Sequence, residues 1–119
     1  MIVADTSVWI EHFRRGEKRL VQLLLDGHIA IHPYVTGELA CGSLKNRLAT
    51  LDYFDAMPQV PVADTVEVRH FIERHALHGL GLGWVDIHLL AAAKLAKHRL
   101  WTLDKRLAQA AEKLQVAIS

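Results

Sequence analysis

Along its whole length the chain alternates short apolar runs, each broken off by a charged or turn-forming residue, with longer stretches of helical periodicity. Residues 2–4 are an apolar run ending at Asp5. Residues 7–14 carry Val8, Trp9, Ile10 and Phe13 up to Gly16, and residues 17–26 carry Leu20, Val21, Leu23, Leu24 and Leu25 up to a capping Gly27. A second strand-like segment, 28–32, alternates around Ile29 and Ile31 and stops at Pro33. Helical patterns follow at 34–44, interrupted by Gly37 and Gly42, and at 47–56, with Leu48, Leu51 and Phe54 spaced by three. The proline-bearing 59–62 reads as an edge strand at best. Asp64 can cap a helix to about residue 76. After a loop marked by Gly79, Gly81 and Gly83, a helix at 85–97 leads to a strand at 100–103, a helix at 105–114 and a closing strand at 116–118. Strands separated by helices pair in parallel through right-handed crossovers, so the pattern predicts an α/β sandwich.

With 119 residues, 51% of them hydrophobic, the chain has enough apolar surface for one core and too little length for two, so a single domain over 1–119 is expected. No apolar run reaches the ~18 residues of a membrane span. The richest stretch, 84–96, contains Asp86, His88 and Lys94. The N-terminus lacks the basic and small-residue features of a signal peptide, and the single cysteine, Cys41, cannot form an internal disulfide. Its apolar neighbours make it read as a small buried thiol, and a reducing cytoplasm is the expected compartment.

Two carboxylates stand out by position. Asp5 ends the first strand, and Asp104 follows the strand at 100–103 and precedes a helix. Ligands of open α/β sheets gather beyond the carboxyl ends of strands, where such side chains are placed. Capping of the following helix explains either aspartate singly and the pair less well. On neighbouring strands they would lie ~5 Å apart, which calls for a cation between them. Asp86 opens the helix after the glycine loop, where an acid also complements the helix dipole. Glu38 lies within an apolar helix next to Gly37, and its i+4 position is Gly42 rather than a base.

Carboxylates suit hard divalent cations such as Mg²⁺ or Mn²⁺. Four of them from four segments can hold one or two ions that activate water and stabilise a leaving oxygen at phosphorus. The net charge of +1 then divides unevenly: with those four acids set apart, nine remain against fourteen Lys and Arg, and the rest of the surface is about +5. That balance suits a polyanionic substrate.

In order and interval, these segments resemble the PIN-domain nucleases, and in size and detail the VapC-type toxins of toxin–antitoxin pairs. The resemblance rests on residues 2–10 (IVADTSVWI), Gly37-Glu38-Leu39 with Gly42, Gly83-Trp84-Val85-Asp86 leading into Leu89-Leu90-Ala91-Ala92-Ala93, and Leu100-Trp101-Thr102-Leu103-Asp104. It implies a three-layer α/β/α sandwich whose central parallel sheet has strand order 3-2-1-4-5 and about seven helices around it. Asp5, Glu38, Asp86 and Asp104 would form the catalytic metal site, supported by hydroxyls at Thr6, Ser7 and Thr102. The activity implied is metal-dependent RNA cleavage. The implied partners are an RNA substrate, a VapB-type antitoxin lying near 7–14 and 17–26 and able to push a basic side chain into the acidic pit, and a second copy of the chain. Trp101 is bulkier than the aliphatic residue usual at its position. Lys105, Arg106 and Arg47 are the candidate phosphate contacts, each of which can equally be a solvated surface charge.

Eight histidines invite a zinc reading, but His28 with His32, and His75 with His78, have no second ligand pair at a credible spacing, and surface or partly buried histidine is the better reading. His88, two residues from Asp86, falls at the rim of the candidate site. A dehalogenase-type phosphatase would need a second aspartate where Ser7 stands, and a receiver domain an acidic pair after the first strand. The competing readings are a non-catalytic PIN-like binding module acting through a protein partner, and a housekeeping PIN nuclease.

Overall fold

The computed structural model describes residues 1–118. Its elements in chain order are β1 (Ile2–Ala4), α1 (Thr6–Arg15), α2 (Lys18–Leu25), β2 (Ile29–Ala30), α3 (Pro33–Ala40), α4 (Arg47–Ala56), α5 (Thr65–His75), α6 (Trp84–Leu95), β3 (Arg99–Trp101) and α7 (Lys105–Lys113). The three strands form one parallel sheet in the order β2-β1-β3. Ile2 pairs with Ile29 on one side and with Arg99 on the other, and Ala4 with Trp101.

The expectation of five strands is corrected to three. Single parallel bridges, Ile31 to Gln59 and Leu100 to Ala117, put the two remaining segments at the outer positions of the expected 3-2-1-4-5 order. Neither extends into a ladder. On one side the next rungs would need the N–H groups of residues 58 and 33, both of which are prolines. On the other, the rungs stop at the bonds Leu100 N–H to Val116 O and Ile118 N–H to Leu100 O.

Local chemistry sets the helix limits. Asp5, Asp64 and Asp104 cap α1, α5 and α7 by accepting main-chain N–H bonds from Val8, Glu67 and Leu107. Pro33 sits at the first position of α3, and Gly16 ends α1 at φ 78°. In α7, Leu107, Ala110 and Ala111 form the inward stripe, continued by Leu114 just past its end. Every residue of α6 from Ile87 to Ala93 is buried, so this helix is enclosed by the others and opens to solvent only at its ends. Asp86 is at one of those ends.

Cys41 departs from expectation. The helix of 34–44 stops at Ala40, Cys41 is its C-cap, and the thiol is exposed. No helix is long and apolar enough to cross a membrane among the described residues.

Candidate active site

The last rung of the ladder pairs Ala4 with Trp101, so Asp5 faces Thr102 across the sheet edge, with Asp5 N–H donating to Trp101 O at 2.9 Å. Asp104 lies three residues beyond that rung. The two aspartates are therefore not the direct neighbours that equal strand ends would make them; the hydroxyl of Thr102 stands between. It donates to Asp5 Oδ2 at 2.6 Å and accepts from Asp104 N–H at 3.0 Å. Ser7 Oγ donates to Asp5 Oδ1 at 2.5 Å and accepts Leu103 N–H at 2.9 Å. Two hydroxyls thus tie the start of α1 to the start of α7.

Asp5 is only 6% exposed, and no basic side chain forms an ion pair with it among the described residues. Burial pushes its carboxyl above the ordinary value, and bonds from Ser7, Thr102 and the N–H groups of Val8 and Ser7 pull the other way. A buried carboxylate stabilised only by neutral donors is a ready receptor for a cation.

Glu38 is held by the residue next to Asp5 in sequence, Thr6, whose hydroxyl donates to Glu38 Oε1 at 2.7 Å. Asp86 sits apart from it: Oδ2 accepts from Gly83 N–H at 2.9 Å at the mouth of α6. One oxygen on each outer acid, Glu38 Oε2, Asp86 Oδ1 and Asp104 Oδ2, makes no hydrogen bond among the described residues. No three Asp, Glu, His or Cys side chains close into a ready-made metal cage among the described residues. The bonds that are made join Asp5 to the start of α7 through Ser7 and Thr102, and Glu38 to the start of α1 through Thr6. The candidate donors are all carboxylate and hydroxyl oxygens, a chemistry that fits a hard divalent ion rather than zinc.

The basic candidates separate. Arg47 is committed to structure, its guanidinium donating to Ala40 O and Gly42 O and so closing the end of α3. Lys105 is exposed at the start of α7. Arg106 lies across the glycine loop: a Cβ built on Gly81 would fall onto its Nη1, with Cδ and Cζ 3.1 Å away. Gly81 also has φ 77°, so both its backbone and its neighbour require glycine.

His88 is not at a solvent rim. It is 2% exposed, boxed by Trp84 and Tyr34 with ring centroids at 4.6 Å each, and by His32 at 6.0 Å. His32 is fully buried, its Nδ1 accepting from Tyr34 N–H. Neither ring nitrogen of His88, nor Nε2 of His32, has a partner among the described residues. Burial, aided by His88, lowers the His32 pKa to about 4. The burial of His88 corrects its expected place at the rim, and nothing in the spacing of 28–32 and 84–96 signals that His32 joins it.

Beside Glu38 a hollow of about 430 Å³ opens between α1 and α3–α4, lined by Thr6, Ile10, Phe13, Leu39 and Leu44 among others. Ile10 and Phe13 are both exposed, as are Val21 and Leu25 of α2.

A family model described as PIN domain matches residues 2–113. Two curated relatives, each named Ribonuclease VapC32 and coming from the CDC 1551 / Oshkosh and ATCC 25618 / H37Rv strains of Mycobacterium tuberculosis, are 47% identical over 120 aligned positions. Those positions take in the whole of this chain and 97% of each relative. The strand-end aspartate with its hydroxyl supports, the parallel sheet and these matches agree: the chain belongs to the PIN-domain family, in its VapC branch.

Proposed function

We propose that this chain is a metal-dependent endoribonuclease, the toxin of a VapBC-type pair, with Asp5, Glu38, Asp86 and Asp104 as its catalytic, metal-holding acids. The observation that carries the reading is Asp5: a buried carboxylate, without an ion pair to any base among the described residues, held from both sides by Ser7 and Thr102. Full-length similarity to proteins named ribonucleases supports the substrate class.

The chain's own part is to fix charge and position. Ser7 and Thr102 spend their single hydroxyl protons on Asp5, which keeps both of its oxygens aligned as acceptors. Thr6 orients Glu38, and Asp86 and Asp104 each present a second oxygen toward solvent-accessible space while the first anchors a helix start. One or two Mg²⁺ or Mn²⁺ ions bound there supply charge neutralisation and an activated water for displacement at phosphorus. A VapB-type antitoxin would cover the exposed apolar residues of α1 and α2 and enter the hollow beside Glu38. A cytoplasmic homodimer completes the reading, with sedimentation as its check.

The test is cleavage of RNA by purified protein in Mg²⁺ or Mn²⁺, against Asp5→Asn and Asp86→Asn. Loss of cleavage by at least ~100-fold in both, with folding retained, is expected when carboxylates acting at the metal are neutralised. Equal cleavage by wild type and mutants sinks the mechanism.

A further inference from the structure

The loop that delivers Asp86 is flanked by two side chains that the acidic site does not use. On one side lies Arg106, draped over Gly81, with no ion pair or hydrogen bond to its guanidinium among the described residues. At the other end stands Trp84, the first residue of α6. Of the three tryptophans, Trp9 is 2% and Trp101 8% exposed, whereas Trp84 is 41% exposed. Trp84 is not loose. The edge-to-face contact with His88, at 4.6 Å and 84°, pins the indole, and His88 is in turn backed by Tyr34, one helical turn before Glu38 on α3.

An aromatic ring held rigid by its edge, with area left in solvent, is a stacking platform, and an unpaired guanidinium is a phosphate ligand. Only Leu82 and Gly83 separate Gly81, on which Arg106 lies, from Trp84, so the Cα atoms of Gly81 and Trp84 are at most about 11 Å apart and the side chains of Arg106 and Trp84 flank the same short loop. We propose that Trp84 and Arg106 form a nucleotide seat beside Asp86, Trp84 stacking on one base of single-stranded RNA and Arg106 holding an adjacent phosphate. The proposal rests on the nuclease reading above and adds to it the residues that grip the strand. Gly81 has a role in it: only a residue without a side chain lets Arg106 lie flat against the loop.

The experiment measures binding of a short 5′-labelled oligouridylate by fluorescence anisotropy, in an Asp5→Asn background that does not cut it. Trp84→Ala should weaken binding about five- to a hundred-fold, and Trp84→Phe should recover most of the loss. RNA should quench indole emission in the parent and not in Trp84→Phe. Arg106→Gln should lower the slope of log Kd against log salt by about 0.7, the share of one phosphate contact on a single strand. Thermal melts of Trp84→Phe and Arg106→Gln should match the parent, and the Phe variant separates lost stacking on RNA from the packing on His88 that Trp84→Ala also removes. Parent-like affinity and salt slope in both variants would overturn the seat; so would a Trp84→Ala that loses only antitoxin binding, which would assign the platform to a protein interface. If the parent binds no oligouridylate and wild type cuts no RNA, the nuclease reading itself has failed and the seat falls with it.

Discussion

Asp5 sits where the fold gains least from its charge. Burial disfavours the carboxylate, and among the described residues only neutral donors offset that cost. Asp5→Asn should therefore abolish cleavage while raising the melting midpoint in EDTA by about 2–5 °C; a lowered midpoint would show that the carboxylate is structural. His32 makes the opposite kind of demand. Its folded pKa of about 4 lies below the ordinary 6.5, so between these values the unfolded chain binds more protons than the folded one. The stability from neutral His32 is present in full above pH 6.5, falls as pH drops toward 4, and levels off below. His75, His88 and His98 are shifted in the same direction by burial. Urea midpoints across this window should fall with acidification, and His32→Asn, which keeps a cap acceptor for α3, should flatten the slope.

At the scale of the element, capping and function coincide in the same acids, and they can be pulled apart. Asp104 caps α7 through Oδ1, a role asparagine fills equally well. Asp104→Asn should leave stability within ~0.5 kcal/mol and remove most cleavage, whereas Asp104→Ala should also cost about 1 kcal/mol in urea unfolding. Gly81→Ala should destabilise by about 1–2 kcal/mol, because it forces a side chain into a positive-φ position and against Arg106. This is also where the legibility of the sequence changes. Asp5 and Asp104 could be placed at strand ends because apolar runs stopping at an acid report a strand's exit. The register that sets Thr102, not Asp104, opposite Asp5 depends on where β3 begins, which periodicity over three residues does not determine. Arg47 could not be told from a phosphate ligand by charge alone; its carbonyl partners arise from the turn that α3 makes on ending early at Ala40. Cys41 was misplaced for the same reason.

For the whole molecule, the sheet order was readable and its width was not. Alternation of strand and helix implies parallel pairing, and the family resemblance supplied the order, but prolines at 58 and 33 and a single rung at Ala117 reduce the outer strands to bridges. Segments 7–14 and 17–26 hold more apolar residues than one helical face can bury, and Ile10, Phe13, Val21 and Leu25 are left exposed. Cleavage and partner binding should then separate: Phe13→Asp should weaken antitoxin binding by at least ~10-fold in calorimetry while leaving the rate of RNA cleavage within ~3-fold. Loss of both together would place Phe13 in the catalytic apparatus instead.

The pairing of Ser7 with Leu103 and of Thr102 with Asp104 has one more consequence. Both bonds end on amide hydrogens, and both acceptors are hydroxyls whose own protons are committed to Asp5. Deuterium uptake at Leu103 and Asp104 is thus a readout of whether the two ends of the chain have come together at Asp5. Both amides should exchange slowly in wild type; Thr102→Val should speed exchange at Asp104 and Ser7→Ala at Leu103, even where the rest of β3 keeps its protection.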